Sequence, residues 1–220
     1  MIENKVFDRT DTGEKEISSR LYNLIIGAVL CWGFGMNWLM VTKIPTELIT
    51  AVDPVIFFIG YSVSCLSGVY LFSKSANPIF SFVGYNLVVV PFGLIINIVV
   101  SDYDPYLVLE AIKMTSVVTG IMMLLGATFP SFFKKISIVL SFALVIVVVA
   151  ELFYLFILGT HREWIDWVVV LIFCGYIGYD WGRANQIPKT VDNAIDSAAA
   201  LYMDIINLFL RILKILGRRR

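Results

Sequence analysis

Four stretches of this chain, Leu21 to Thr42, Pro54 to Ser73, Ser75 to Ser101 and Met114 to Phe133, carry no charged side chain. A hydrocarbon core of roughly 30 Å is crossed by about 20 apolar helical residues. Each stretch is therefore read as a membrane helix. Further apolar blocks run from about Ile136 to Leu158, Trp164 to Tyr179 and Ala194 to Leu216, the last more polar. The expected fold is an all-α integral membrane protein of seven helices. A length of 220 residues would also suit one soluble domain. However, 59% of the residues are hydrophobic and only 15% are charged, against about 25% charged in soluble domains.

Three segments follow: a polar tail (1–20), a seven-helix membrane domain (21–217) and a basic end (218–220). The tail lacks the early apolar stretch and cleavage site of a signal peptide. The first helix is thus expected to act as an uncleaved insertion signal. Polar breaks fall near 43–53, 74–78, 102–105, 129–135, 159–163 and 183–192, and Pro45, Pro54, Pro78, Pro105, Pro130 and Pro188 mark them. Proline starts helices or lies outside them. Pro91 alone interrupts a block, where a kink is expected. Lys5, Arg9, Lys15 and Arg20 in the tail, with Lys74, Lys134, Lys135, Arg183 and Lys189 in alternate breaks, outweigh the basic residues of the opposite breaks. By the positive-inside rule the N-terminus is cytoplasmic. Seven crossings then carry Arg218, Arg219 and Arg220 to the far side, whereas six crossings and a re-entrant last segment keep them cytoplasmic.

The net charge of zero disfavours a nucleic-acid binder. Cys31, Cys65 and Cys174 are scattered in apolar blocks, and an odd count without a CxxC pair is not a disulfide framework. Glycines 27, 33, 35 and 120 are expected at close helix contacts. Asn86 and Asn97 are expected to hydrogen-bond between helices.

The last block is the most informative. Asp192, Asp196, Ala200, Asp204, Asn207, Arg211, Lys214 and Arg218 recur every three or four residues, and so lie along one helix face. Acids fill the N-terminal half and bases the C-terminal half, as the macrodipole favours. One reading is an amphipathic helix lying on the bilayer. The other is a bundle helix with its polar stripe turned to a cavity. Asp204 favours the second, because an ionisable residue three turns into a membrane helix marks a functional site. Asp180 lies near the end of the preceding block. The short connection makes the two helices antiparallel neighbours, with the aspartates at comparable depth. Two carboxylates close together in a dry site cannot both ionise cheaply, so they titrate as one unit.

These same residues carry a family resemblance. Gly178-Tyr-Asp180 with Gln186-Ile187, and above all Ala200-Leu-Tyr-Met-Asp204-Ile-Ile-Asn207-Leu-Phe continuing to Gly217, resemble the Bax inhibitor-1 family, the transmembrane Bax-inhibitor-motif proteins. Val108-Leu-Glu110-Ala111, with Thr115 after it, is similar to the start of that family's fourth helix. The resemblance implies six helices around a central seventh and a pH-sensitive calcium leak. It implies that Asp180 and Asp204 are the proton sensor and gate and the contacts of the passing calcium ion. Prokaryotic members use an Arg at the end of helix two as a latch. Here that place reads Phe72-Ser-Lys74-Ser-Ala, and Lys74 offers a point charge rather than a planar fork.

Glu110, Glu151, Asp196 and Asn207 are further residues for a cation pathway; Glu110 also suits its helix N-terminus. His161 reads as solvated loop. HExxH, P-loop and nucleophile-elbow motifs are absent. Asp204 lacks the glycines of an intramembrane aspartyl protease, so no enzyme and no cofactor are expected. The expected ligands are calcium, which takes several hard oxygen ligands, and protons, with the lipid bilayer as surroundings. A proton-coupled calcium antiporter, or a non-transporting partner of membrane proteases or death regulators, is the alternative. The small size and minimal loops suit a bacterial plasma membrane.

Overall fold

The structure is a computed structural model; it describes residues 15–160 and 162–218. Lys5, Arg9, His161, Arg219 and Arg220 lie outside the described residues. Among the described residues all regular structure is helical: α1 Ser19–Lys43, α2 Thr46–Thr50, α3 Pro54–Lys74, α4 Pro78–Ser101, α5 Pro105–Thr128, α6 Pro130–Phe156, α7 Glu163–Ala184 and α8 Val191–Arg218. Seven are long, as expected, and α2 is a short addition inside the 43–53 break. Six of them, α1 and α3 to α7, are long and apolar enough to cross a membrane. Their outer faces expose Phe58, Leu66, Phe142 and Val149, which suits lipid contact rather than water.

The helix starts have local causes. Pro54, Pro78, Pro105 and Pro130 each open a helix, where the missing N–H costs nothing. Asp53, Asn77 and Asp104 cap the first three of these by accepting from backbone N–H groups, as short polar side chains do at an N-cap. Two blocks therefore begin earlier than the charge pattern suggested. Helix α5 takes in Glu110 and Lys113, and α6 takes in Lys134 and Lys135. Long basic side chains near a helix end reach the interface while their stems stay in apolar surroundings. Pro91 lies inside α4.

The chain forms two compact units. One comprises the described residues up to Asp102 together with Ile187–Ala200. In it α4 packs against α1 and α3. Gly68 and Gly84 face each other so closely that a Cβ on either would meet the other's carbonyl oxygen. Asn97, buried, donates from Nδ2 to the Met40 and Ile44 carbonyls, 2.9 Å each, and accepts from Thr46 Oγ1 at 2.7 Å. Trp32 Nε1 donates to Asn86 Oδ1 at 3.0 Å. Both asparagines thus tie helices together. Replacing Asn97 with Ala takes a donor from the Ile44 carbonyl and an acceptor from the Thr46 hydroxyl, and leaves the Met40 carbonyl with the Ile44 N–H; it should cost about 2 kcal/mol, read as a lower thermal midpoint in detergent micelles. The start of α8 is anchored in the same unit. Ser81 Oγ donates to buried Asp192 at 2.6 Å, and the Tyr22 hydroxyl lies 3.0 Å from Ser197 Oγ.

The second unit comprises Tyr103–Gln186 with Leu201 onward. Here α7 packs against both α5 and α6. A Cβ on Gly126 would strike the Gly178 backbone, one on Gly182 the Gly126 carbonyl, and one on Gly178 the Phe133 ring. Small residues let membrane helices approach this closely. Gly27, Gly35 and Gly120, expected at such contacts, instead face open space. Glycine content alone does not say which glycine meets a neighbour.

Candidate functional site

The polar face of α8 in the second unit meets α7 at both ends. Near the end of α7, the Asp180 and Asp204 carboxyl groups lie within hydrogen-bonding reach of one another. Two carboxyl oxygens can share a hydrogen bond only if one carries a proton. Asp204 is buried, and its Oδ2 has no hydrogen-bond partner among the described residues. An acceptor left without a donor in a buried place is costly. Arg183 is within electrostatic reach of Asp180. The Tyr176 phenol lies near both aspartates and donates to Ser141 Oγ at 3.1 Å. Gly178 places this end of α7 against Phe133 and Gly126, so the Gly178-Tyr-Asp180 run combines close packing with a carboxylate.

A second site lies near the start of α7. Asp166 is fully buried. Its Oδ1 is 2.7 Å from Arg211 Nη1, and its Oδ2 is 2.5 Å from Arg218 Nη2. Glu151 on α6 holds the same guanidinium with both oxygens, at 2.7 and 2.6 Å. Lys214 Nζ stands 3.5 Å from Asp166 Oδ1 and 3.7 Å from Glu151 Oε1. Bidentate carboxylate–guanidinium pairs are the strongest of protein ion pairs and fix geometry as well as energy.

The two sites define the course of α8. Asp166 and Asp180 are fourteen residues apart on α7, and Arg218 and Asp204 are fourteen apart on α8. At 1.5 Å per residue both intervals are about 21 Å. Asp204 meets Asp180 and Arg218 meets Asp166, so α8 runs back antiparallel along α7. It is not a helix lying flat with its polar stripe in water, because α6 and α7 engage that stripe. Arg218 ends beside the start of α7.

Of the other sequence-selected residues, Glu110 is held at 2.9 Å by Lys113 on its own helix. Glu151 belongs to the ion cluster rather than standing beside the aspartate pair. Asn207 donates to the Met203 carbonyl at 2.8 Å. Asp196, half-buried, and Lys74, exposed at the end of α3, belong to the other unit. The three cysteines are free thiols. Among the described residues no three His, Cys, Asp or Glu side chains converge on a metal-sized site. Two aspartates supply fewer oxygens than the six to eight of a closed calcium site.

Sequence reasoning missed Asp166. It sits in the first turn of α7, and its partners come 45 or more residues later. The signal was indirect: three bases on one face of α8 require carboxylates at the same depth.

A family model described as "Inhibitor of apoptosis-promoting Bax1" matches residues 14–220. An uncharacterized protein of Helicobacter pylori (strain J99) is 29% identical over 74% of this chain and 70% of its own length. An uncharacterized membrane protein of Streptococcus pyogenes serotype M1 is 27% identical over 99% of each chain. The inner membrane protein YbhL of Escherichia coli (strain K12) is 27% identical over 58% of this chain and 59% of its own length.

Proposed function

This multi-pass membrane protein belongs to the family of inhibitors of apoptosis-promoting Bax1, and on that premise we propose that it is a proton-modulated calcium leak. The observation that carries the reading is the contact between Asp180 and Asp204, with one Asp204 oxygen left without a donor. Such a pair shares a proton and titrates as one unit. When both groups are ionised they repel each other and attract a divalent cation. When one is protonated the attraction weakens and the two helices draw together. Calcium and protons are then the ligands, the lipid bilayer is the solvent, and neither a resident cofactor nor an enzymatic reaction is involved. The distribution of Lys and Arg supports a cytoplasmic N-terminus. This puts the aspartate pair at the cytoplasmic end of α7 and the ion cluster at the far end. A relative named as an inner membrane protein supports a bacterial plasma membrane.

The test is calcium flux in proteoliposomes across a range of pH. Asp204→Asn and Asp180→Asn each leave a single titrating carboxyl of the pair, and the flux should then no longer vary with pH as in the wild type. Variants with an unaltered flux and pH profile would sink the proposal. The same shared proton would serve a proton-coupled antiporter. Calcium driven uphill by an imposed pH gradient would select that reading; purely downhill movement selects the leak.

A further inference from the structure

We propose that Tyr176 is a positioning residue of the aspartate pair: its phenol, held by Ser141 of α6 while the carboxyls share a proton, turns to donate to them once that proton leaves. The assignment rests on the pair as proton sensor, as read above, and adds the group that sets the pH at which the pair responds.

Tyr176 stands four residues before Asp180 on α7, so the two side chains lie one turn apart on one face. The phenol is within electrostatic reach of both aspartates. Asp204 comes to it from α8 and Asp180 from α7, and Arg183, also of α7, acts on Asp180. Helix α6 contributes an uncharged group, the Ser141 hydroxyl, 3.1 Å from the phenol oxygen. Ser141 spends its own hydrogen on the Ser137 carbonyl at 3.1 Å. The hydrogen between the two hydroxyls is therefore the phenol's, and it is directed to α6 rather than to the carboxyls. Asp204 Oδ2, close by and buried, has no donor among the described residues.

The state of the pair decides where that hydrogen is best used. While the carboxyls share a proton they supply their own donor, and Ser141 keeps the phenol. Once both are ionised they are acceptors only. A hydrogen bond to a charged acceptor is stronger than one to a neutral hydroxyl. The phenol then gains by leaving Ser141 for a carboxylate. The exchange favours the ionised pair and releases a tie between α7 and α6. Tyr176 keeps its proton throughout, since a phenol ionises only near about pH 10.

The pH dependence of calcium flux in proteoliposomes tests this, with its midpoint as the readout. Tyr176→Phe removes the donor, so the pair holds its proton to higher pH and the midpoint should rise by about one pH unit. Ser141→Ala removes the competing acceptor and frees the phenol, so the midpoint should fall, by a smaller step. The double variant should behave as Tyr176→Phe does. Both single variants break the same hydrogen bond. A purely structural tie would therefore move the midpoint in one direction in both; that result, or no shift in either, would overturn the proposal and leave the leak reading intact. Ser141 is exposed, so its variant carries the test if Tyr176→Phe does not yield stable protein. If the wild type passes no calcium, the infrared carbonyl band of the protonated carboxyl, identified by its loss in Asp204→Asn, gives the same midpoints in purified protein. Opposite shifts of that band would support the role of Tyr176 while the transport reading fails. Parallel or absent shifts would overturn both.

Discussion

Asp166→Ala is expected to destabilise the protein by about 3 kcal/mol, the scale of breaking a buried ion pair from one side. The substitution removes Asp166 from Arg211, Lys214 and Arg218, while Arg211 and Lys214 keep Glu151. Arg218 loses its 2.5 Å partner and Arg211 one of its two acids. The measurement is the thermal midpoint of the purified protein in detergent, beside Glu110→Ala, whose partner Lys113 is on the same helix and largely exposed. That exposed pair should matter little. If Asp166→Ala unfolds with the wild type, the cluster does not hold the three helices together.

The glycine contact between α5 and α7 should produce an effect of similar size, with a signature that identifies its cause. Gly126→Ala sets a methyl group against the Gly178 backbone, and Gly178→Ala sets one against the Phe133 ring. Overpacking of this kind costs about 1–3 kcal/mol, and Gly126→Ala belongs at the upper end because backbone cannot turn aside. Adding Phe133→Leu should relieve Gly178→Ala and leave Gly126→Ala unrelieved. A double-mutant cycle reads the difference as coupling for the first pair and much less for the second. Gly178 stands two residues before Asp180, so its variant should also alter the pH profile of calcium flux. Equal effects of Phe133→Leu in both backgrounds would mean that Gly178 of α7 and Phe133 of α6 do not meet as described.

Much of this architecture was legible because its causes are local. Charge-free runs marked the membrane helices, and Pro54, Pro78, Pro105 and Pro130 marked where four of them start. Asp180 and Asp204 were legible as a pair because a short connection forces their helices to run antiparallel. What stayed hidden depends on partners distant in the chain. Asp166 looked like one acid at the edge of an apolar block; its meaning lies in Arg211 and Arg218. Glu151 suits a cation pathway by sequence alone, and its Arg211 partner lies sixty residues further on. The tight glycines were likewise invisible, since Gly120 and Gly126 lie six apart on one helix, and only Gly126 has a backbone against it.

The charges on α8 also bear on how such a chain is made. Six helices are apolar enough to enter a bilayer unaided, and the caps and prolines of α3 to α5 satisfy their first turns from within. Helix α8 is not among these six, and it carries Asp204, Arg211 and Lys214, residue types that each cost about 2.5–3.5 kcal/mol near a bilayer centre. Glu151 and Asp166, the counter-charges of the two bases, and Asp180, the carboxyl neighbour of Asp204, all leave the ribosome earlier. Biogenesis then has a required order: α6 and α7 must already be in the membrane when α8 arrives, and α8 closes the assembly.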